Sequence, residues 1–222
     1  MEFRHEVKHL INSSDRIALR QRLRAVMQPD PHAIGGRYKI RSLYFDTPED
    51  RALWEKLDGV NNREKFRIRY YNGDLSFICL EKKSKRSNLG SKDGALLTPE
   101  EAQAIVDGRL AWMIDSDKPL VQELYAKMVN ESLRPKTIVD YTREPFIYPA
   151  GGVRVTIDYD IRSGLGCTDF LNPDCLTVPV TDAVLLEVKW DAYLPDCVKA
   201  AVALENRGGG AFSKYAACRI YG

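Results

Sequence analysis

Between Glu64 and Tyr71 the chain reads EKFRIRYY, and its residues alternate without a break between two chemistries. Lys65, Arg67 and Arg69 fall on one face of an extended strand, and Phe66, Ile68 and Tyr70 on the other, because side chains on a strand repeat every two residues. The run Phe77–Lys85 (FICLEKKSK) repeats the pattern, with Glu81, Lys83 and Lys85 opposite Ile78 and Leu80. Asn72-Gly73-Asp74 between the two runs is a strong turn signal and joins them as a hairpin.

Two further stretches alternate in the same way. In Val153–Ile161, Arg154, Thr156 and Asp158 oppose Val155, Ile157 and Tyr159; in Val184–Trp190, Glu187 and Lys189 oppose Leu186, Val188 and Trp190. Additional strands are expected near Phe3–Ile11, Tyr38–Phe45 and Lys136–Tyr141. Helices are expected from a Ser13 or Ser14 cap to about Met27, from Thr98-Pro99-Glu100-Glu101 to about Val106, and over Pro119–Asn130. Ser87–Gly94, polar and Gly-bearing, reads as a mobile loop. The expected class is therefore α+β with a mainly antiparallel sheet, in one domain spanning residues 1–222.

A single alternating strand is what an ordinary surface strand looks like. Several of them, with Arg, Lys and Glu at i, i+2 spacing and bulky apolar residues behind, call for a different arrangement. Helices cover the apolar faces, and the charged faces meet across a closed or nearly closed sheet. Such an interior is costly unless it is filled. A polyanion with water fills it, and the planar fork of Arg suits phosphate oxygens. The interleaved carboxylates add a place for Mg²⁺ or Mn²⁺, which bridges phosphate oxygens during phosphoryl transfer.

Composition sets limits on this reading. The 33 basic residues nearly balance 31 acidic ones, for a formal charge of +2, which argues against a general grip on nucleic acid. The five cysteines are odd in number and form no CxxC pair, so disulfides and zinc are not expected and a reducing cytoplasm is. No apolar run reaches the length of a membrane span, so none is expected.

The run Tyr44-Phe45-Asp46-Thr47-Pro48-Glu49-Asp50, followed by Leu53, Gly59 and Arg67-Ile68-Arg69, resembles the triphosphate tunnel metalloenzyme (CYTH) superfamily. More narrowly, RHEVKHLI, EKFRIRYYNGD, LEKKSK, the Tyr141–Glu144 segment, LLEVKW and FSKYAAC resemble the VTC domain, the polyphosphate polymerase module of the vacuolar transporter chaperone complex. That resemblance implies a closed, eight-stranded antiparallel β-barrel enclosing a triphosphate tunnel, with helices packed outside.

The resemblance also implies a metal-dependent phosphotransferase that moves the γ-phosphoryl of ATP to a growing polyphosphate chain. Its partners would be ATP and polyphosphate, tripolyphosphate or pyrophosphate, with no nucleic acid. Lys8, Arg67, Arg69, Lys83, Arg143 and Lys189 are carried over as catalytic residues, and Arg41, Lys85, Arg154, Ser213 and Lys214 as substrate-binding ones. Glu187 is carried over as the metal ligand, with Glu6 and Glu81 on the same face by parity.

Two departures matter. The hydrolase branch begins with an ExExK motif, whereas here Arg4 stands where its first glutamate would fall, ahead of Glu6 and Lys8. One carboxylate fewer tilts the expectation toward a polymerase, with a tripolyphosphatase or nucleoside triphosphatase, or a non-catalytic polyphosphate-binding module, as the alternatives. The phosphate-sensing SPX domain and membrane helices of the eukaryotic polymerase have no counterpart in the sequence, so coupling to translocation is not expected.

Overall fold

Every alternating run forms a strand in the computed structural model, which describes residues 5–86, 89–204 and 207–221. In chain order the elements are β1 (His5–Ile11), α1 (Ser13–Val26), β2 (Gln28–Pro29), β3 (Tyr38–Asp46), α2 (Arg51–Leu57), β4 (Arg63–Tyr71), β5 (Asp74–Arg86) and β6 (Leu89–Leu97). They continue with α3 (Pro99–Val106), α4 (Pro119–Asn130), β7 (Arg134–Tyr148), β8 (Val153–Ser163), β9 (Val178–Thr181), β10 (Val184–Trp190), α5 (Asp196–Val202) and α6 (Lys214–Ile220). The antiparallel α+β class holds, but the closed eight-stranded sheet does not. Among the described residues ten strands pair in the linear order β1-β10-β8-β7-β3-β4-β5-β6, with β2 added on β7 and β9 on β8.

Two local expectations are also corrected. The helix cap is Asn12, whose side chain accepts the Asp15 N–H in a capping box, and not Ser13 or Ser14. The supposed loop at Ser87–Gly94 is strand β6 from Leu89 onward, paired with β5 from Ile78↔Leu97 to Arg86↔Leu89; Ser87 and Asn88 lie outside the described residues. The middle of β6 is the small and polar run Gly90–Gly94, which is why its composition looks like a loop. Residues 1–4, with the Arg4 position of the motif comparison, also lie outside the described residues.

The contacts divide the chain into two compact units. The first holds the described residues up to Lys39 with Tyr141–Ile161 and Thr181–Phe212. Its core joins Leu19 and Leu23 of α1 and Val198 and Ala201 of α5 to Val155 and Ile157 of β8 and Leu186 and Val188 of β10. Gly152 is required here, because it adopts φ +58° and a Cβ would meet Asp191 Oδ2 at 1.9 Å.

The second unit holds Ile40–Asp140, Arg162–Val180 and Ser213–Gly222. Phe66, Ile68 and Tyr70 of β4 and Ile78 and Leu80 of β5 pack with Ala102 and Ile105 of α3 and Leu120, Val121 and Leu124 of α4. The predicted hairpin closes between Tyr71 and Asp74, with Asn72 and Gly73 at φ 54° and 76°, the positive values that a two-residue turn of this hand needs. The acidic residue of the YFDT run does structural work in this unit. Asp46 accepts N–H groups from Thr47, Ala52 and Leu53 and the Tyr215 hydroxyl, so one carboxylate starts α2 and docks α6.

If the apolar face of the hairpin carries this unit, Leu80→Ala lowers stability by about 2–5 kcal/mol, as a truncated, fully buried Leu does. A urea-unfolding midpoint measures this, and a loss below about 1 kcal/mol would contradict the packing.

Candidate functional site

The charged faces left by this packing are assembled strand by strand, and each unit has its own. In the second unit the face opposite the core carries three successive rows. Arg63 stands beside Lys85; Lys65 stands beside Lys83, which stands beside Lys92; Arg67 stands beside Glu81. With Arg69 this makes seven cations and one carboxylate on one face of β4, β5 and β6. Like charges side by side across a sheet are destabilising. Three lysines in one row are therefore not a feature that folding selects.

The arginines are held in place from beneath. Arg67 donates to Glu81 at 2.6 Å and to the Tyr44 hydroxyl at 2.8 Å, and Arg69 donates to Ser42 Oγ at 3.3 Å and Tyr71 at 3.0 Å. Glu81 also pairs with Lys92 at 2.6 Å and Arg69 at 3.7 Å. Burial alone would push the Glu81 carboxyl up. Arg67, Arg69 and Lys92 outweigh it, and the group lies at about 2. The same two arginines, with Lys214, outweigh burial at Tyr44 and hold its hydroxyl below its ordinary value. Glu81, expected on the metal-ligand face, thus serves as the counter-ion of these three cations.

In the first unit the rows mix the two signs. Glu6 stands beside Lys189, which stands beside Arg154; Lys8 stands beside Glu187, which stands beside Thr156. Glu187 Oε1 lies 2.6 Å from Lys189 Nζ and Oε2 3.6 Å from Lys8 Nζ, while Glu6 pairs with both lysines. Burial of Glu187 is outweighed by Lys189 and then Lys8, so its carboxyl lies below the usual range. Lys8 answers it: burial works against its charge, Glu187 and Glu6 overcome that, and its ammonium is held above the ordinary value. Arg143 forks onto Asp158 at 2.6 and 2.7 Å, and Arg154 reaches Asp30 at 3.2 Å.

The donor chemistry for a metal is modest. Among the described residues no group of three or more His, Cys, Asp or Glu side chains could hold an ion. Glu187 and Glu6 nevertheless fit a hard divalent cation that takes the rest of its shell from water and phosphate. Thr156, directly across from Glu187, has a buried hydroxyl with no hydrogen-bond partner among the described residues and adds a third oxygen.

The sequence-predicted residues thus fall into two sets. Lys8, Glu6, Arg143, Arg154, Glu187 and Lys189 lie in the first unit, and Arg67, Arg69, Glu81, Lys83, Lys85 and Lys214 in the second. Arg41 stands apart. It shares the Leu43 and Phe45 side of β3, away from Ser42 and Tyr44, and forks onto Asp140 at 3.0 and 2.9 Å while reaching the Asn172 carbonyl at 2.6 Å. Its donors are committed to holding a loop, and it leaves the phosphate set. Ser213 caps α6 by accepting the Ala216 N–H at 3.3 Å. Lys65 and Thr156 lie on the faces already read from the sequence but were not named as site residues, and Lys92 was hidden in the presumed loop.

The family model for the VTC domain matches residues 3–220. The chain belongs to the VTC domain family. No curated protein matches this VTC domain. It is similar in fold to a candidate adenylyl cyclase from Hippeastrum described as having a dominant triphosphatase activity (TM-score 0.57, 15% identity, covering 99% of this chain and 95% of that one). A candidate adenylate cyclase from Bacillus halodurans is also similar (TM-score 0.53, 13% identity, covering 85% and 80%). At such identities the likeness concerns the fold, and it agrees with the CYTH resemblance of the sequence. No helix among the described residues of this VTC domain is long and apolar enough to cross a membrane.

The depressed Glu81 carboxyl makes a signed prediction. Its stabilising effect is present above the ordinary value of 4.5 and is lost as the pH falls toward 2, on the order of 3 kcal/mol in all. Glu81→Gln removes that pH dependence and leaves buried Arg69 without its carboxylate, so the variant melts lower at pH 7 and its melting curve is flatter between pH 4.5 and 2. Melting temperatures across that range check it; parallel pH profiles for the two proteins would contradict it.

Proposed function

We propose that this VTC domain is a polyphosphate polymerase that passes the γ-phosphoryl of ATP to the terminal oxygen of a polyphosphate chain, or of orthophosphate, and releases ADP. The observation that carries the reading is the face of seven cations around Glu81, where three lysines stand in one cross-strand row. An extended polyanion is the ligand that such a face suits, because it supplies anionic groups at regular intervals to meet cations that recur across the strands and along them. The family match supports the same assignment.

In this reading Arg67 and Arg69 grip phosphate oxygens with forked donors already oriented by Glu81, Tyr44, Ser42 and Tyr71. Lys65, Lys83, Lys85 and Lys92 act as point charges. Lys8, Lys189, Arg143 and Arg154 bind phosphate groups in the other unit, and Lys214 at the start of α6 adds a further charge. Glu187, Glu6 and Thr156 would hold Mn²⁺ or Mg²⁺, which when bound neutralises phosphate oxygens and lowers the cost of charge build-up in transfer. The acceptor oxygen bonds to the γ-phosphorus as the bond to the β–γ bridging oxygen breaks, and no covalent enzyme intermediate is needed. Catalysis is positioning and charge neutralisation. ATP, polyphosphate, tripolyphosphate and pyrophosphate are the proposed partners, and the cytoplasm, where ATP is abundant, the proposed location.

Incubation with ATP and Mn²⁺, followed by a gel stained for polyphosphate, tests the assignment. Chain growth is expected, and Glu187→Gln should reduce it by about 100-fold while metal-free binding of tripolyphosphate persists. Phosphate release without chain growth would make water the acceptor and overturn the polymerase reading. Tight tripolyphosphate binding with no turnover would make the domain a binding module.

In a second assay, replacing Arg67 and Arg69 together by Ala should weaken tripolyphosphate binding at least about 100-fold, two charge-assisted contacts being lost. Calorimetric titration measures it, and unchanged affinity would remove this face from the site.

A further inference from the structure

Five cysteines without a CxxC pair gave no expectation of a disulfide, yet the fold brings two of them together. Cys167 and Cys175, on the segment after β8, have their sulfur atoms 2.9 Å apart. Cys79, Cys197 and Cys218 have no sulfur neighbour of this kind among the described residues.

Backbone anchors on both sides set the approach. The Cys167 carbonyl accepts the Ile138 N–H of β7 at 3.2 Å, and its own N–H donates to the Gly164 carbonyl at 2.8 Å. Between the cysteines, Phe170 is fully buried with its ring 4.9 Å from Tyr70, whose hydroxyl donates to the Phe170 carbonyl. At the far end the Arg41 guanidinium holds the Asn172 and Cys175 carbonyls at 2.6 and 3.4 Å. The loop is fastened to β7, β4 and β3, so the two sulfurs meet repeatedly and need to move by less than about 1 Å to bond.

We propose that Cys167 and Cys175 are a reversible disulfide-forming pair, a redox modification site closed by a small-molecule disulfide of the glutathione type. The Cys167 thiolate attacks one sulfur of oxidised glutathione, forming a mixed disulfide and expelling one glutathione thiolate. Cys175, once deprotonated, then attacks the Cys167 sulfur, forming the protein disulfide and expelling the second glutathione. Two protein thiols are oxidised and one glutathione disulfide is reduced to two thiols, with the protons passing to the departing thiolates. Either thiol can open the sequence, the other then resolving the mixed disulfide, because the two sulfurs face each other at 2.9 Å. Closure fixes the loop that holds Arg41 and, through it, one side of β3. The other side of that strand carries Ser42 and Tyr44, the supports of Arg69 and Arg67.

The test uses the full chain, reduced and then treated with oxidised glutathione, followed by alkylation of free thiols in denaturant and peptide mapping. The expected result is a Cys167–Cys175 cross-linked peptide, with Cys79, Cys197 and Cys218 alkylated. The melting temperature should rise by about 5 °C, as expected for a short closed loop, and return on adding dithiothreitol. Cys175→Ser should stop at a stable glutathione adduct on Cys167, and the Cys167→Ser, Cys175→Ser double variant should show no change in melting on oxidation. Full alkylation of all five cysteines, a persistent glutathione adduct in the wild type, a different linked pair, or the same melting shift in the double variant would each overturn the proposal. None of these readouts involves ATP, so the polymerase reading stands or falls separately.

Discussion

The bond between Glu81 and its arginines is the constraint on which the second unit turns. Arg69 is almost fully buried and Glu81 with it, and neither charge could be withdrawn from water alone. Their pairing lets cations occupy the inside of a strand face whose reverse is a dry hydrophobic core. It also leaves that face strongly positive, because one carboxylate serves Arg67, Arg69 and Lys92 while Lys65, Lys83, Arg63 and Lys85 stand in adjacent rows. The Tyr44 hydroxyl accepts from Arg67, and the Tyr44 ring stacks on Tyr215, whose hydroxyl donates to Asp46. The orientation of a surface-directed arginine is thereby tied to the residue that anchors two helices.

The first unit solves the same problem with the opposite balance. Glu6, Lys8, Glu187 and Lys189 neutralise one another, and Asp158 and Asp30 take up Arg143 and Arg154. Carboxylates close to lysines suit a role in which a divalent cation and phosphate groups displace existing ion pairs. A face rich in cations suits the binding of anions. In the proposed reading, anion capture and metal-assisted neutralisation fall to separate sets of strands.

Much of this was legible because strands with two unlike faces announce themselves. The parity of Lys65, Arg67 and Arg69, of Glu81 and Lys83, and of Glu187 and Lys189 carried directly into the structure, since period-two alternation has one geometric solution. Lys92 escaped notice because its strand contains the small and polar run Gly90–Gly94, which carries no alternation of apolar and charged residues. Arg41 misled because a motif fixes a position along the chain and not a side of the strand; only its partners Asp140 and Asn172 reveal the side. The number and linear order of the strands depend on pairing between distant segments, as does the capture of Tyr215 by Asp46, and a single sequence carries no record of those; the meeting of Cys167 with Cys175 depends on a loop conformation that no spacing motif announces.

The central claim is that the cationic face around Glu81 holds phosphate groups. A crystal structure of the domain with bound tripolyphosphate tests it most directly. The account predicts phosphate oxygens within hydrogen-bond distance of Arg67 and Arg69, with Lys65, Lys83 or Lys92 beside the neighbouring phosphorus. Tripolyphosphate bound elsewhere, with Arg67 still closed on Glu81 and Tyr44 and no anion along those rows, would contradict it.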